Sequence, residues 1–150
     1  MTEPSAGLAS ALQEDHDRLD LLLDAFRSAR TAPAEERERR FGPFAAGLRA
    51  HLRFEEEVAF PQYGPGDPAL DPTRQLLLDE HRRIREALDR IEGRLAAGGD
   101  TADLEEELLN VLWAHDAREE GQVYPWLDEH LSPAAIAGLL ATFRRSVPQG

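Results

Sequence analysis

Residues 51–55 read His51-Leu52-Arg53-Phe54-Glu55. This stretch sets a histidine and a carboxylate four residues apart on a face that otherwise points at a core. Along that face lie Phe41, Phe44, Leu48, His51, Glu55 and Val58, at steps of 3, 4, 3, 4 and 3. That is the spacing of a packed helical seam. One turn separates His51 from Glu55, so both project the same way, roughly 6 Å apart along the axis. A buried, ionised carboxylate is very costly unless it is paired or bound to a metal.

The pattern occurs twice. His115-Asp116-Ala117-Arg118-Glu119 lies on a stripe of Leu104, Leu108, Leu112, His115, Glu119, Gln122 and Trp126. Glu55-Glu56 answers Glu119-Glu120, and Phe60-Pro61 answers Tyr124-Pro125, at equal offsets from the histidine. A single histidine precedes each copy: His16 lies 35 residues before His51, and His81 lies 34 before His115. Leu19 and Leu23 follow His16 as Ile84 and Leu88 follow His81. The chain therefore reads as one domain over 1–150 with an internal two-fold repeat, about 8–61 and 72–125.

Composition narrows the function classes. The net charge is −12, so no phosphate backbone is expected as a partner. Arg37, Arg39 and Arg40 cluster, but Glu35, Glu36 and Glu38 are interleaved with them, as on a solvated helix face. With no cysteine, disulfides, thiolate zinc sites and cysteine-held clusters are excluded. No charged n-region precedes an apolar run, so neither signal peptide nor membrane span is expected, and the cytoplasm is the default compartment.

The spacing predicts helices over about Leu8–Ala29, Ala34–Ala59, Pro72–Ala97 and Asp100–Tyr124. A short fifth runs from Ser132-Pro133 to near Arg145, able to cover one end. Thr31-Ala32-Pro33, the Pro/Gly-rich segment 61–68 and Gly98-Gly99 are the breaks. Pro61 ends or kinks the second helix. Asp71 and Asp100 are candidate caps. Nothing reads as strand. The expected fold is all-α, an antiparallel up-down-up-down four-helix bundle with a short C-terminal fifth helix.

Four histidines all fall on seams that take about two of seven helix positions, a coincidence of roughly one in 150. Six inward ligands, His16, His51, Glu55, His81, His115 and Glu119, are too many for one tetrahedral zinc. They suit two metals about 3.5–4 Å apart with each carboxylate shared. Imidazole plus carboxylate favours iron, with manganese or zinc as alternatives.

These six residues, in this order, resemble the hemerythrin-like proteins of the HHE cation-binding class, over about residues 8 to 131. The resemblance implies a four-helix bundle around two non-haem iron ions joined by an oxo or hydroxo bridge. Glu55 and Glu119 would bridge, His16 and His51 would hold one iron, and His81 and His115 the other. The pattern departs from the oxygen-carrying members in two places. They have a further histidine where Leu77 stands, and an aspartate five residues past the helix-four histidine instead of Glu119 at four. The first departure removes a ligand and weakens simple reversible oxygen carriage.

The implied function is binding of O2, NO or peroxide at a dinuclear centre. The alternatives are a di-iron enzyme (peroxide disproportionation, or O2 or NO chemistry) and iron storage or sensing. The sequence names no proton donor for an enzyme and no oligomeric state. Leu19, Leu48, Ile84 and Leu112 are expected to wall the ligand side. His130 reads as a surface or end-cap residue. Glu56 and Glu120, about 100° off the seam, read as solvated or supporting the seam from behind. Tyr63 and Tyr124 read as packing residues within reach of a bound oxygen species, and Trp113 and Trp126 as core or rim. No Ser-His-Asp arrangement and no HExxH is present.

Overall fold

The computed structural model describes residues 7–147. Its α-helices are α1 (Leu8–Ser28), α2 (Ala34–Phe54), α3 (Asp71–Ala96), α4 (Ala102–Arg118), α5 (Tyr124–His130) and α6 (Pro133–Ser146). Among the described residues there is no strand. α1 packs on α2, α2 on α3 and α3 on α4, while α6 lies against α1 and α2. No described helix is long and apolar enough to cross a membrane.

The breaks fall where the sequence puts them. Gly98 takes φ 75°, a left-handed conformation that favours glycine after a helix. Ser132 caps α6 by accepting from the Ala135 N–H at 3.1 Å. Pro61 ends the second helix in a single 3-10 turn, Phe60–Gln62. The two aspartate caps are displaced. Asp71 is already the first residue of α3, behind Leu70. Asp100 stands one residue before the α4 cap position, Thr101, and accepts from the Ala102 N–H at 3.3 Å.

Helices two and four do not run on unbroken to Ala59 and Tyr124. Each passes into a π turn, Glu55–Ala59 and Glu119–Val123, and both turns begin at the glutamate of HxxxE. The apolar core is accordingly in two parts. One gathers Leu19, Leu23 and Phe26 of α1, Phe41 to Leu52 of α2, Ile84 to Leu95 of α3, and Leu104 to Leu112 of α4. The other gathers Leu8, Leu12, Phe54, Phe60, Leu77, Val123, Tyr124, Leu127 and Phe143. On every helix the histidine or glutamate of interest lies at the boundary between the two. The polar layer is thus sealed above and below by hydrocarbon.

Two surface readings need correction. Arg37 is buried: its guanidinium lies 5.4 Å from the Phe26 ring centroid, and its Nη2 donates to Thr101 Oγ1 at 2.7 Å. Thr101 in turn donates to Glu105 Oε2 at 2.6 Å, which ties the start of α2 to the start of α4. Arg39 and Arg40 do remain outside, paired with Glu36. Trp113 is 72% exposed, because one residue past the inward Leu112 turns the side chain about 100° away. Trp126 stays at the rim, edge-on to Tyr63 at 5.3 Å. His130 lies on the surface, stacked on Trp126 with centroids 4.1 Å apart.

Candidate metal centre

All six predicted ligands are buried, none more than 4% exposed. They meet as two sets that share both carboxylates: His16, His51, Glu55 and Glu119, and Glu55, His81, His115 and Glu119, each with its ligand atoms within 4.8 Å of one another. His51 Nε2 lies 3.4 Å from Glu55 Oε2, and His16 Nε2 lies 3.4 Å from Glu119 Oε1. In the other set His81 Nε2 is 3.1 Å from Glu55 Oε1, and His115 Nε2 is 3.2 Å from Glu119 Oε2. Each carboxylate thus turns one oxygen to each set.

The imidazoles are oriented from behind. His51 Nδ1 meets Asp15 Oδ2 at 2.7 Å, His16 Nδ1 meets Glu120 Oε2 at 2.7 Å, and His81 Nδ1 meets Glu56 Oε2 at 2.7 Å. His115 Nδ1 meets Glu80 Oε1 at 3.0 Å. An ionised carboxylate can only accept, so each Nδ1 carries a hydrogen. In the neutral tautomer this leaves Nε2 with a free lone pair aimed inward, the arrangement metal-ligating histidines use. Arginines steady three of the four acids: Arg18 on Asp15, Arg85 on Glu56 and Arg118 on Glu80.

Charge is concentrated here. Burial would lower the histidine pKa values, but neighbouring carboxylates outweigh it. Contact with Glu119 holds His16 at about 9, and Glu55 with Asp15 holds His51 at about 10. Glu119, Glu55 and Glu56 hold His81 at about 10; Glu119 and Glu80 hold His115 at about 11. Glu119 is depressed well below the carboxylate range: its burial opposes ionisation, but His115, His16 and His81 more than offset that. In the metal-free chain imidazolium protons therefore supply positive charge at the centre, the charge a bound cation would replace.

The donor set fits a cation. Glu55 Oε1, His81 Nε2, His115 Nε2 and Glu119 Oε2 are buried side-chain atoms with no hydrogen-bond partner. All four belong to the second set. They meet only one another, as imidazolium–carboxylate pairs at 3.1 and 3.2 Å, and buried polar atoms rarely go without other partners, so four converging in one place suit a cation in place of those protons. In the first set the corresponding atoms face the Tyr124 hydroxyl. Tyr124 Oη lies 2.5 Å from Glu55 Oε2, 2.9 Å from Glu119 Oε1, 3.2 Å from His16 Nε2 and 3.3 Å from His51 Nε2.

Reading Tyr124 as a packing residue is therefore corrected. On an α-helix a residue five past Glu119 would stand about 140° away from it. The π turn, closed by the Tyr124 N–H on the Glu119 carbonyl, brings the ring back over the site. The matching turn, closed by Phe60 on Glu55, sets the Phe60 ring 5.2 Å from His81. Asp15 and Glu80 were not singled out from the sequence. Each precedes a ligand histidine, Asp15-His16 and Glu80-His81, yet serves a histidine on another helix. An acid at that place in both repeats was the available signal. Glu56 and Glu120 do support histidines from behind.

Leu77 is fully buried in the lower core and offers the site only hydrocarbon. On the opposite side Leu19, Leu48 and Leu112 line a small recess with His16, Asp20, Phe44 and Asp116. Ile84, also expected in that wall, is fully buried in the same core without reaching the recess. Asp116 Oδ1 stands 3.5 Å from His16 Nε2. Burial pushes its carboxyl up to about 7.

A family profile of the hemerythrin HHE cation binding domain matches residues 7–127. The chain belongs to the hemerythrin HHE family, a class defined by cation binding on a helical fold. No curated protein and no solved structure matches the chain.

Proposed function

We propose that this chain binds two non-haem iron ions and uses them to take up a small ligand, O2, NO or peroxide. His16 and His51 would hold one iron, His81 and His115 the other, with Glu55 and Glu119 shared. The observation that carries the reading is the sharing itself: each carboxylate presents one oxygen to each pair of histidines. A single-metal site would not need both oxygens of two glutamates turned to opposite sides. The donor chemistry, four imidazoles and two carboxylates with no sulfur, favours iron over softer metals.

When bound, such a pair supplies electrons and open coordination positions for oxygen-containing ligands. The chain's part is to orient and to exclude water. Asp15, Glu120, Glu56 and Glu80 fix the imidazole tautomers. Leu19, Leu48 and Leu112 keep the approach apolar, which suits a neutral diatomic. Contacts between the end of α1 and the start of α4, Arg27 and Arg30 on Glu105, support the antiparallel course that this centre requires.

One observation favours a second reading, a di-iron enzyme. Asp116 stands in the recess beside His16, and a carboxyl with a pKa near 7 can hold a proton there at working pH. An enzyme consuming peroxide or NO needs such a donor.

Two measurements test the proposal. Metal analysis after iron-replete expression is expected to give about two irons per chain, as six ligands around two sites require; a single iron or none would overturn it. Anaerobically reduced protein would then be exposed to O2, NO and peroxide in turn while the visible spectrum is followed. A reversible adduct supports binding, and sustained turnover of peroxide or NO supports the enzyme. Neither, with marked unfolding in chelator, would leave iron storage or sensing as the better account.

A further inference from the structure

We infer that the Tyr124 phenol is itself a metal ligand, to the ion held by His16, His51, Glu55 and Glu119, so that the two metals are chemically unlike. This rests on the two-metal reading above.

Three observations carry it. The first is spacing. Adjacent ligands on a metal with bonds near 2.1 Å stand about 3.0 Å apart in an octahedral shell and about 3.4 Å in a tetrahedral one. Tyr124 Oη lies 2.5 to 3.3 Å from all four ligand atoms of this set, as one more vertex of the same shell would. The His16–Glu119 and His51–Glu55 edges of that set are 3.4 Å long. The second is hydrogen-bond accounting. A phenol has one proton to give and lone pairs to accept with, and here it faces two imidazole nitrogens and two carboxylate oxygens, only one of which its proton can serve. A packing tyrosine needs one partner; four polar atoms around one fully buried oxygen is the surrounding of a coordinated atom.

The third is the comparison the repeat provides. Phe60 is the counterpart of Tyr124, five residues past the other shared glutamate and reached through the same π turn. It lies against His81 in the other half-site, where no phenol is present and the four ligand atoms meet only one another. A phenyl ring thus satisfies the packing at this place, and the hydroxyl of Tyr124 is what the first half-site adds. On binding, the phenol O–H bond breaks, an O–metal bond forms, and the proton leaves to solvent; no electron is transferred.

The test uses the ferric, iron-loaded chain. Phenolate bound to Fe(III) gives a charge-transfer band in the visible, and excitation into it enhances tyrosinate vibrations in the Raman spectrum. Wild type is expected to show both. Tyr124→Phe should lose the band while keeping two irons, since Phe60 shows that a phenyl ring is accommodated at the matching place. Tyr63→Phe, which removes the only other tyrosine, should leave the band unchanged. Two irons per chain without phenolate vibrations in wild type would overturn this inference and leave the two-metal reading standing. A band that survives Tyr124→Phe would do the same. Failure to bind two irons would overturn both. The wild-type Raman spectrum decides the matter even if the variant does not fold.

Discussion

At the scale of single residues the centre is built from pairs. Every candidate histidine is backed by an acid from another helix, so Nε2 rather than Nδ1 is turned to the centre before any cation arrives. Partners of this kind commonly contribute 10–100-fold in metal affinity. Glu120→Gln should therefore weaken iron binding by about 10–100-fold and leave the helical circular dichroism spectrum intact; a chelator competition titration with unchanged affinity would contradict this. Glu55→Ala should do more, because one carboxylate serves both half-sites. Iron content is expected to drop from two per chain to one or none, and a variant retaining two would show that Glu55 is not shared. The burial and convergence of the six candidate ligands were legible in the sequence, because histidine and glutamate on an oily seam are anomalous. Their backing acids were not. Asp15 and Glu80 look like ordinary solvated residues until the fold sets each beside a histidine about 35 positions away, 36 for Asp15 and 35 for Glu80.

At the scale of elements the decisive feature is the pair of π turns. Each inserts an extra residue just where a shared glutamate of HxxxE stands, and such turns are frequent at functional sites. The turn at Glu119–Val123 delivers Tyr124 to the site. Deleting Gly121, whose Cα faces open space, should let the turn close as an α-helix. Tyr124 would then stand four residues past Glu119, about 40° from it, so the phenol should stay over the site and the visible spectrum should be kept. Val123 and Leu127 should likewise keep their places in the lower core, so thermal stability should change little. A deletion variant that loses the spectrum or melts well below wild type would show that the turn does more than set the register of the ring. Hydrophobic periodicity predicted the helices to within a residue at most ends. It could not predict the π turns, since a step of 3 and 4 persists up to Val58 and Gln122 whether or not one hydrogen bond skips a residue.

For the whole molecule, the polar layer sits between two apolar cores, and α6 closes one end. Phe143 of α6 packs edge-on to Phe54 at 5.0 Å and lies 6.1 Å from the His51 ring. Phe143→Ala should cost about 3–5 kcal/mol, read in urea unfolding, and should speed loss of iron to chelator. A loss under about 1 kcal/mol would mean the site collapses around the gap. The charge balance gives a pH prediction. All four histidines are raised in the folded, metal-free chain, to about 9, 10, 10 and 11. A raised basic group stabilises the fold fully below its unfolded pKa, about 6.5, and that contribution is lost as pH rises through the folded value. Metal-free protein should therefore lose stability progressively from about pH 6.5 upward. In the iron-loaded protein the imidazoles are already unprotonated, so that loss is absent. The gap in melting temperature between loaded and metal-free protein should widen from pH 6 to pH 9; a constant gap would contradict the exchange of protons for metal.

The sequence alone determined the helices, the oily seams and the six side chains that violate them, because periodicity and the cost of burying charge are both local properties of the chain. Only the tertiary structure decided which acid stands behind which histidine, that both glutamates divide their oxygens between two sets, and that Tyr124 enters one half while Phe60 enters the other. Those outcomes depend on which helices face each other and on a single skipped hydrogen bond in each of two turns. Neither leaves a period in the sequence to be read.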